Sequence, residues 1–222
     1  MRAKIAERYA MSDNLPLLIY GTGQHGRVVA ETADAADRSI LGFVEQEPRC
    51  ERVGRWPVFK NMPTDIGRAA LIVAIGDNMA RRRISGDLSQ MGVPGATVIH
   101  PTAWVSPSAT LGSNVYIGAQ CVINAGAQIA DGTIINSGAI IEHDCVIGAY
   151  THIAPGATLA GEVRVGELCL IGAGAVIKPR MRIGDDCTVG AGAVVIDHVT
   201  NNQTVVGVPA RPMEQRLRAV AG

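Results

Sequence analysis

The sequence predicts two unlike parts in one chain, a small α/β domain over residues 15–98 and a parallel β-helix over residues 99–213. Three observations carry that prediction. From Ile99 to Val195 every sixth residue is Ile, Leu or Val without a slip, as in Ile123, Ile129, Ile135, Ile141 and Ile147. Four residues after each of these the side chain is small in nearly every repeat, as at Ala109, Cys121, Ala127 and Ala139, with Met181 the bulky exception. The composition agrees: 47% of residues are hydrophobic but only 4% aromatic, against 26 glycines. An ordinary core uses aromatic rings as its bulkiest filler, so this one must be narrow and regular.

A six-residue period fits neither a helix at 3.6 nor a single amphipathic strand at 2, but it suits short flat faces joined by turns. Three hexapeptides close one triangular coil of 18 residues, so residues 99–195 give roughly five coils stacked about 4.8 Å apart. The glycines after the aliphatic position, at 112, 118, 148, 166, 172, 184 and 190, are expected to ease the bends between faces. Cys121, Cys145, Cys169 and Cys187 all fall at the small inward position, where a thiol acts as a small hydrophobe.

Residues 15–98 read as a Rossmann-like unit. Residues 15–20 form a buried strand, followed by Gly21-Thr22-Gly23-Gln24-His25-Gly26 and a helix from about Arg27 to Ala36. A second strand, Ile40 to Val44, ends at Glu45. A third, Leu71 to Ile75, ends at Gly76-Asp77-Asn78 and leads into a helix carrying Arg81, Arg82 and Arg83. A glycine-rich turn between strand and helix lets a phosphate approach the backbone, and the helix N-terminus favours the anion. Polar groups at the carboxyl ends of the other strands lie where ligands of open α/β sheets bind. Residues 1–14 are expected to be an extension and 214–222 a tail.

The 20 basic and 20 acidic residues balance. Neutralising a phosphate backbone needs an excess of clustered Lys and Arg, so no nucleic acid is expected as partner. No run of about 18 apolar residues is present, and residues 1–14 lack the apolar core of a signal peptide, so a soluble, cytoplasmic protein is expected. Nor is a metal, since CxxC and HxxxH spacings are absent.

The GxGxxG half-domain, the hexapeptide repeats, Ile99-His100-Pro101 at the junction and the run from Asn136 to Cys145, with His152 nine residues after His143, resemble one family. It is the bacterial sugar acyltransferases of the sialic-acid O-acetyltransferase type, most of all the N-acetyltransferases acting on nucleotide-linked 4-amino sugars of the bacillosamine and perosamine kind. The Gly207-Val208-Pro209-Ala210-Arg211 segment is shared with many hexapeptide transferases.

The resemblance implies a left-handed β-helix, a homotrimer, acetyl-CoA as co-substrate and active sites between neighbouring subunits. It implies His143 as general base and Asp144 as the acid that raises its basicity, with Asn136 lining the same pocket. His152 would meet the thioester region of acetyl-CoA, and Ala173 and Ala191 the pantetheine arm. Gly21, Thr22, Gly23, Glu45, Gln46, Gly76 and Arg81 would hold the nucleotide-sugar. Glu45 departs from the family, which often has Asp there.

The chemistry supports the same roles. Acetyl transfer to an amine needs an acceptor for the proton lost by the nucleophile, and an imidazole of pKa about 6.5 suits that at neutral pH. An adjacent carboxylate favours the imidazolium that develops. His25 could touch the sugar or cap the glycine-rich turn, while His100 and His198 read as structural. Lys178, Arg180 and Arg182 could meet the CoA phosphates but read first as a solvated face. O-acetylation of a sialic acid or another hydroxyl would use the same base and cofactor. A zinc-dependent β-helix carbonic anhydrase would need three well-placed histidines, and the chain has five in all. A non-enzymatic assembly role leaves Glu142-His143-Asp144 unexplained.

Overall fold

The computed structural model describes residues 15–63 and 69–213; the expected extension and tail lie outside them. The first domain is a five-stranded sheet in the order β3-β4-β2-β1-β5, with β1 Leu17–Tyr20, β2 Ile40–Val44, β3 Arg52–Val53, β4 Trp56–Phe59 and β5 Ala70–Val73. Strands β2, β1 and β5 run parallel, as does β4 on β2, and only the edge strand β3 is antiparallel. The β3–β4 hairpin is additional to the three strands expected. Pro57 inside it removes a ladder donor, which masked the segment in sequence and suits it to a place near the edge.

Helix α1, Gln24–Ala35, starts about three residues earlier than expected, with Gly23 as its N-cap. Its buried face, Val29, Ala30 and Ala33, packs with Leu17, Ile19 and Phe43 of the sheet. Helix α2, Asn78–Gln90, is capped by Asp77, whose carboxylate accepts from Ala80 N at 2.7 Å.

From β6 at Val98–Ile99 to β22 at Val194–Val195, two-residue strands recur at six-residue steps. Each pairs in parallel with the strand 18 residues away, as in Ile123↔Ile141 and Ile141↔Leu159. Strands β6 to β20 form five complete coils, as the period predicts. A sixth is closed by the bridge Ile183↔Val199, after which β23 (Thr204–Val206) and the antiparallel β24 (Arg211–Pro212) finish the first face. Both expected inward registers fill the core: Ile123, Ile141 and Leu159 alternate with Cys121, Ala139 and Ala157, all essentially inaccessible to water.

The post-aliphatic glycines have a different role from the one expected. Their φ values are not left-handed; instead a Cβ at Gly118 would lie 2.8 Å from Ser137 N of the next coil, and one at Gly172 2.5 Å from Ala191 N. They permit close stacking. The bends fall two residues later, where Gly138 and Gly156 share left-handed φ with Asn114, Asp144 and Asp186.

The first domain seats on the first face. Tyr116 and Ile134, outward neighbours on that face, belong to the hydrophobic core of the α/β domain. Thr32 of α1 shares a hydrogen bond with the Tyr116 hydroxyl at 3.1 Å, and Arg38 donates to Thr97 O at 3.0 Å.

Arg81 pins the seam. It is fully buried, and its guanidinium donates to Ile75 O and Gly76 O of the α/β domain, to Asn78 Oδ1, and to Gly132 O and Tyr150 O of the β-helix. That engages every guanidinium donor. Burial pushes its pKa down to about 10, so it stays charged at neutral pH. Arg81→Met should therefore lower stability by about 3 kcal/mol or more, because it strands several buried carbonyls at once; urea unfolding checks this, and a change below about 1 kcal/mol contradicts it.

Candidate active site

Two groups of polar residues lie on different sides of the molecule. The first is the carboxyl edge of the α/β sheet, at the switch point where β2 and β5 flank β1 on opposite sides. Each glycine of the turn there has a separate function. Gly21 is left-handed, with φ 109°. Gly26 is buried against the carbonyl of Gly21, leaving no room for a Cβ. Gly23 has nothing within 4 Å of its would-be Cβ and is open to a ligand. Helix α1 has no capping side chain and no acid in its first turn, so its first N–H groups are available to an anion.

Glu45 bends back to this turn: its Oε2 accepts from Thr22 N at 3.2 Å and from Thr22 Oγ1 at 3.3 Å. Gln46 and Gly76 lie exposed beside it at the ends of β2 and β5. Arg81 belongs here only through the backbone it holds. Its side chain is committed to protein oxygens, so direct contact with a nucleotide-sugar would break one of those bonds.

His25 lies in the first turn of α1. Its ring meets Tyr116 edge-on, with centroids 5.1 Å apart, and its buried Nε2 has no hydrogen-bond partner. It does not cap the helix. Near it on the first face stands His152, whose Nε2 accepts from Asn136 Nδ2 at 3.3 Å. Burial first, then the Arg81 charge, pushes both imidazoles down to about 4, so both are neutral at pH 7. Ala173 and Ala191, exposed and one coil apart, extend the same corner as Asn136, between the first and second faces.

The second group is at the next corner. The turn after β13 (Ile140–Ile141) carries Glu142, His143 and Asp144. Asp144 adopts φ 60°, which folds its carboxylate back so that Oδ2 accepts from His143 Nδ1 at 2.9 Å. Both side chains are exposed, 56% for His143 and 65% for Asp144. The hydrogen bond to Asp144 is the main cause of a raised His143 pKa. A carboxylate only accepts, so the proton of the neutral ring sits on Nδ1 and the lone pair on Nε2. Glu142 accepts from Asn124 Nδ2 at 3.0 Å, anchoring the turn to the previous coil.

The structure thus brings Asn136 to His152 and Asp144 to His143, but separates the two histidines by the second face. Sequence reasoning missed Asn124 and Gly161, both 18 residues from this turn, one above Glu142 and one beneath His143. The coil period was the signal that could have found them.

The described residues include no group of three or more His, Cys, Asp or Glu able to hold a metal, and no helix long and apolar enough to cross a membrane. The PglD N-terminal domain family matches residues 16–88, the GMPPB C-terminal domain family 93–167, and the six-repeat bacterial transferase hexapeptide family 162–197. PerB from Caulobacter crescentus, solved with CoA and GDP-perosamine, is 38% identical, with 89% of this chain and 97% of that one covered and a TM-score of 0.85.

The chain belongs to the hexapeptide-repeat sugar acetyltransferases.

The acetyltransferase domain of PglB from Neisseria gonorrhoeae is similar at 36% identity, over 90% of this chain and all of that one, with a TM-score of 0.83. WeeI from Acinetobacter baumannii is 26% identical over 89% and 99%, with a TM-score of 0.82. As in the family, the β-helix is left-handed, and the chain is an acyltransferase.

The neutral histidines have a measurable cost. The folded pKa of His25 lies below the unfolded value of about 6.5. Its contribution to stability is full above that value and is lost as pH falls toward 4. His25→Phe keeps an aromatic edge on Tyr116 and removes the orphaned nitrogen, so its urea midpoint should fall less steeply than the wild type's between pH 6.5 and 4; parallel curves would contradict the assignment.

Proposed function

We propose that this chain transfers the acetyl group of acetyl-CoA to the 4-amino group of a nucleotide-linked amino sugar. The observation that carries the reading is one chain holding both an open glycine turn for a nucleotide phosphate and an exposed imidazole oriented by a carboxylate. The 38% identical PerB binds both CoA and GDP-perosamine, and the acetyltransferase domain of PglB binds acetyl-CoA.

The neutral amine attacks the thioester carbonyl carbon, His143 Nε2 takes the proton the amine loses, and the tetrahedral intermediate expels the CoA thiolate. The proton on the imidazolium then neutralises that thiolate. Asp144, accepting from Nδ1–H, stabilises the imidazolium. No acyl-enzyme is needed. Cys145, the nearest thiol in sequence, is buried with its pKa pushed up to about 11. Gly21, Thr22, Gly23, Gly76, Glu45 and Gln46 bind the nucleotide-sugar, with the carboxylate of Glu45 suited to hydroxyls rather than phosphate. Asn136 and His152 face the acetyl group, and Ala173 and Ala191 the pantetheine arm.

Support for a homotrimer comes from the second face. Its outward column is Trp104, Val122, Ile140, Thr158, Val176 and Val194, apolar but for one threonine, whereas the third face offers Thr110, Gln128, Val146, Arg164 and Arg182, with one apolar residue among five. An apolar face of this length needs cover. Placing it on a three-fold axis sets the His143 corner of each subunit against the Asn136, Ala173 and Ala191 corner of its neighbour.

The function is tested by measuring CoA release with UDP-, GDP- and dTDP-linked amino sugars and their hydroxyl analogues; turnover of hydroxyl sugars alone would replace N- by O-acetylation. His143→Ala should lower kcat by about 10² to 10⁴. Only the neutral base works, so kcat/KM should rise through the raised His143 pKa, and Asp144→Asn should move that limb to lower pH while lowering the plateau. An unmoved limb would remove His143 or its carboxylate from the mechanism.

The shared site has its own test. Inactive His143→Ala and His152→Ala subunits, mixed and reassembled, should regain up to about a quarter of wild-type activity, the share of interfaces with both histidines. No recovery in verified mixed trimers would place the site within one chain.

A further inference from the structure

Gly161 lies one coil below His143, and a Cβ built on it would meet three ring atoms of that histidine before anything else: Nε2 at 2.5 Å, Cε1 at 2.6 Å and Cδ2 at 3.2 Å. The backbone of Gly161 is not left-handed, so no torsional requirement explains a glycine there. What the missing side chain provides is the space the imidazole occupies. The backbone holds the two levels in register around it, with Glu162 N donating to His143 O at 2.9 Å.

The arrangement is two-sided. One coil above, a Cβ on Gly126 would lie 2.5 Å from Asp144 Oδ1. The histidine and the aspartate therefore each lie against a residue without a side chain, His143 against the coil that follows and Asp144 against the coil that precedes.

We infer that Gly161 is a positioning residue for proton transfer: by lacking a Cβ it leaves the His143 ring flat against the next coil, Nδ1 on Asp144 and Nε2 toward the reacting amine. The inference rests on the reading of His143 as general base. A methyl group at 161 meets the far end of an exposed side chain, which can swing away at little cost to the fold. Swinging away breaks the Nδ1 bond that raises the His143 pKa and moves the lone pair off target. Displacements of this order cost up to about 10² in rate.

The test is Gly161→Ala in the full chain, alone and combined with His143→Ala. The single variant should keep its melting temperature and lose about 10- to 100-fold in kcat, with KM for both substrates within about threefold. The acid limb of kcat/KM, and the His143 Cε1–H titration followed by NMR without substrate, should both shift down toward about 6.5. In the His143→Ala background the same change should cost nothing further in rate or melting temperature, because the ring it would strike is gone.

Equal losses with and without His143 would overturn the inference, since Gly161 would then act through its own backbone. An unshifted titration with unchanged kcat would overturn it too. The base assignment fails separately, if His143→Ala alone retains near-normal kcat, while the NMR titration still reports whether Gly161 places the ring.

Discussion

The 18-residue register decides nearly everything in this molecule. Along each face a strand N–H donates to the carbonyl 17 residues ahead, as Val122 N does to Ala139 O at 3.0 Å, and every turn is tied to the coil before it, as Asp144 N is to Ala125 O at 2.9 Å. A residue's neighbours above and below are therefore fixed by arithmetic. That constraint lets a two-residue strand, too short to be stable alone, hold its place, since each strand inside a face is paired on both sides and its aliphatic side chain stacks in a continuous column. It also holds the turn at Glu142, His143 and Asp144 in place. His143 and Asp144 sit on an exposed corner, yet their backbone is bonded to the coils on either side.

His25, His152 and His143 are tuned in opposite directions by their positions. His25 and His152 lie at the seam between the domains, where burial and the fixed charge of Arg81 keep them neutral. His143 lies in water, where a carboxylate one residue away makes it more basic. A neutral imidazole can share hydrogen bonds with an acyl group, and a basic one can take a proton. One chain supplies both kinds of ring without a metal ligand set among the described residues.

Much of this was legible in the sequence because the repeat is so regular: the inward Ile and Ala positions, the coil count and the corner location of His143 all follow from counting by six. The glycine turn was legible for a similar reason, a strand before it and a helix after. Other features were hidden by local appearance. Arg81 sits in a run of three arginines and is expected from the resemblance to hold the nucleotide-sugar, and only the folded chain shows it buried among carbonyls. The hairpin at Arg52–Phe59 was masked by Pro57 and by its polar surroundings. The glycines after each aliphatic residue suggested bending, whereas the real demand is the closeness of the next coil, a contact 18 or 19 residues away that local pattern does not report.

The cysteine column has a practical side. Cys121, Cys145, Cys169 and Cys187 are sealed in the prism, and burial pushes the first two to about 11 and the third to about 12. Cys50 is the one exposed thiol, on the segment between β2 and β3. Alkylation requires both access and thiolate. A maleimide dye should thus find a single address on the native chain, so that fluorescence from the α/β domain can be followed without first engineering the other sulfurs away.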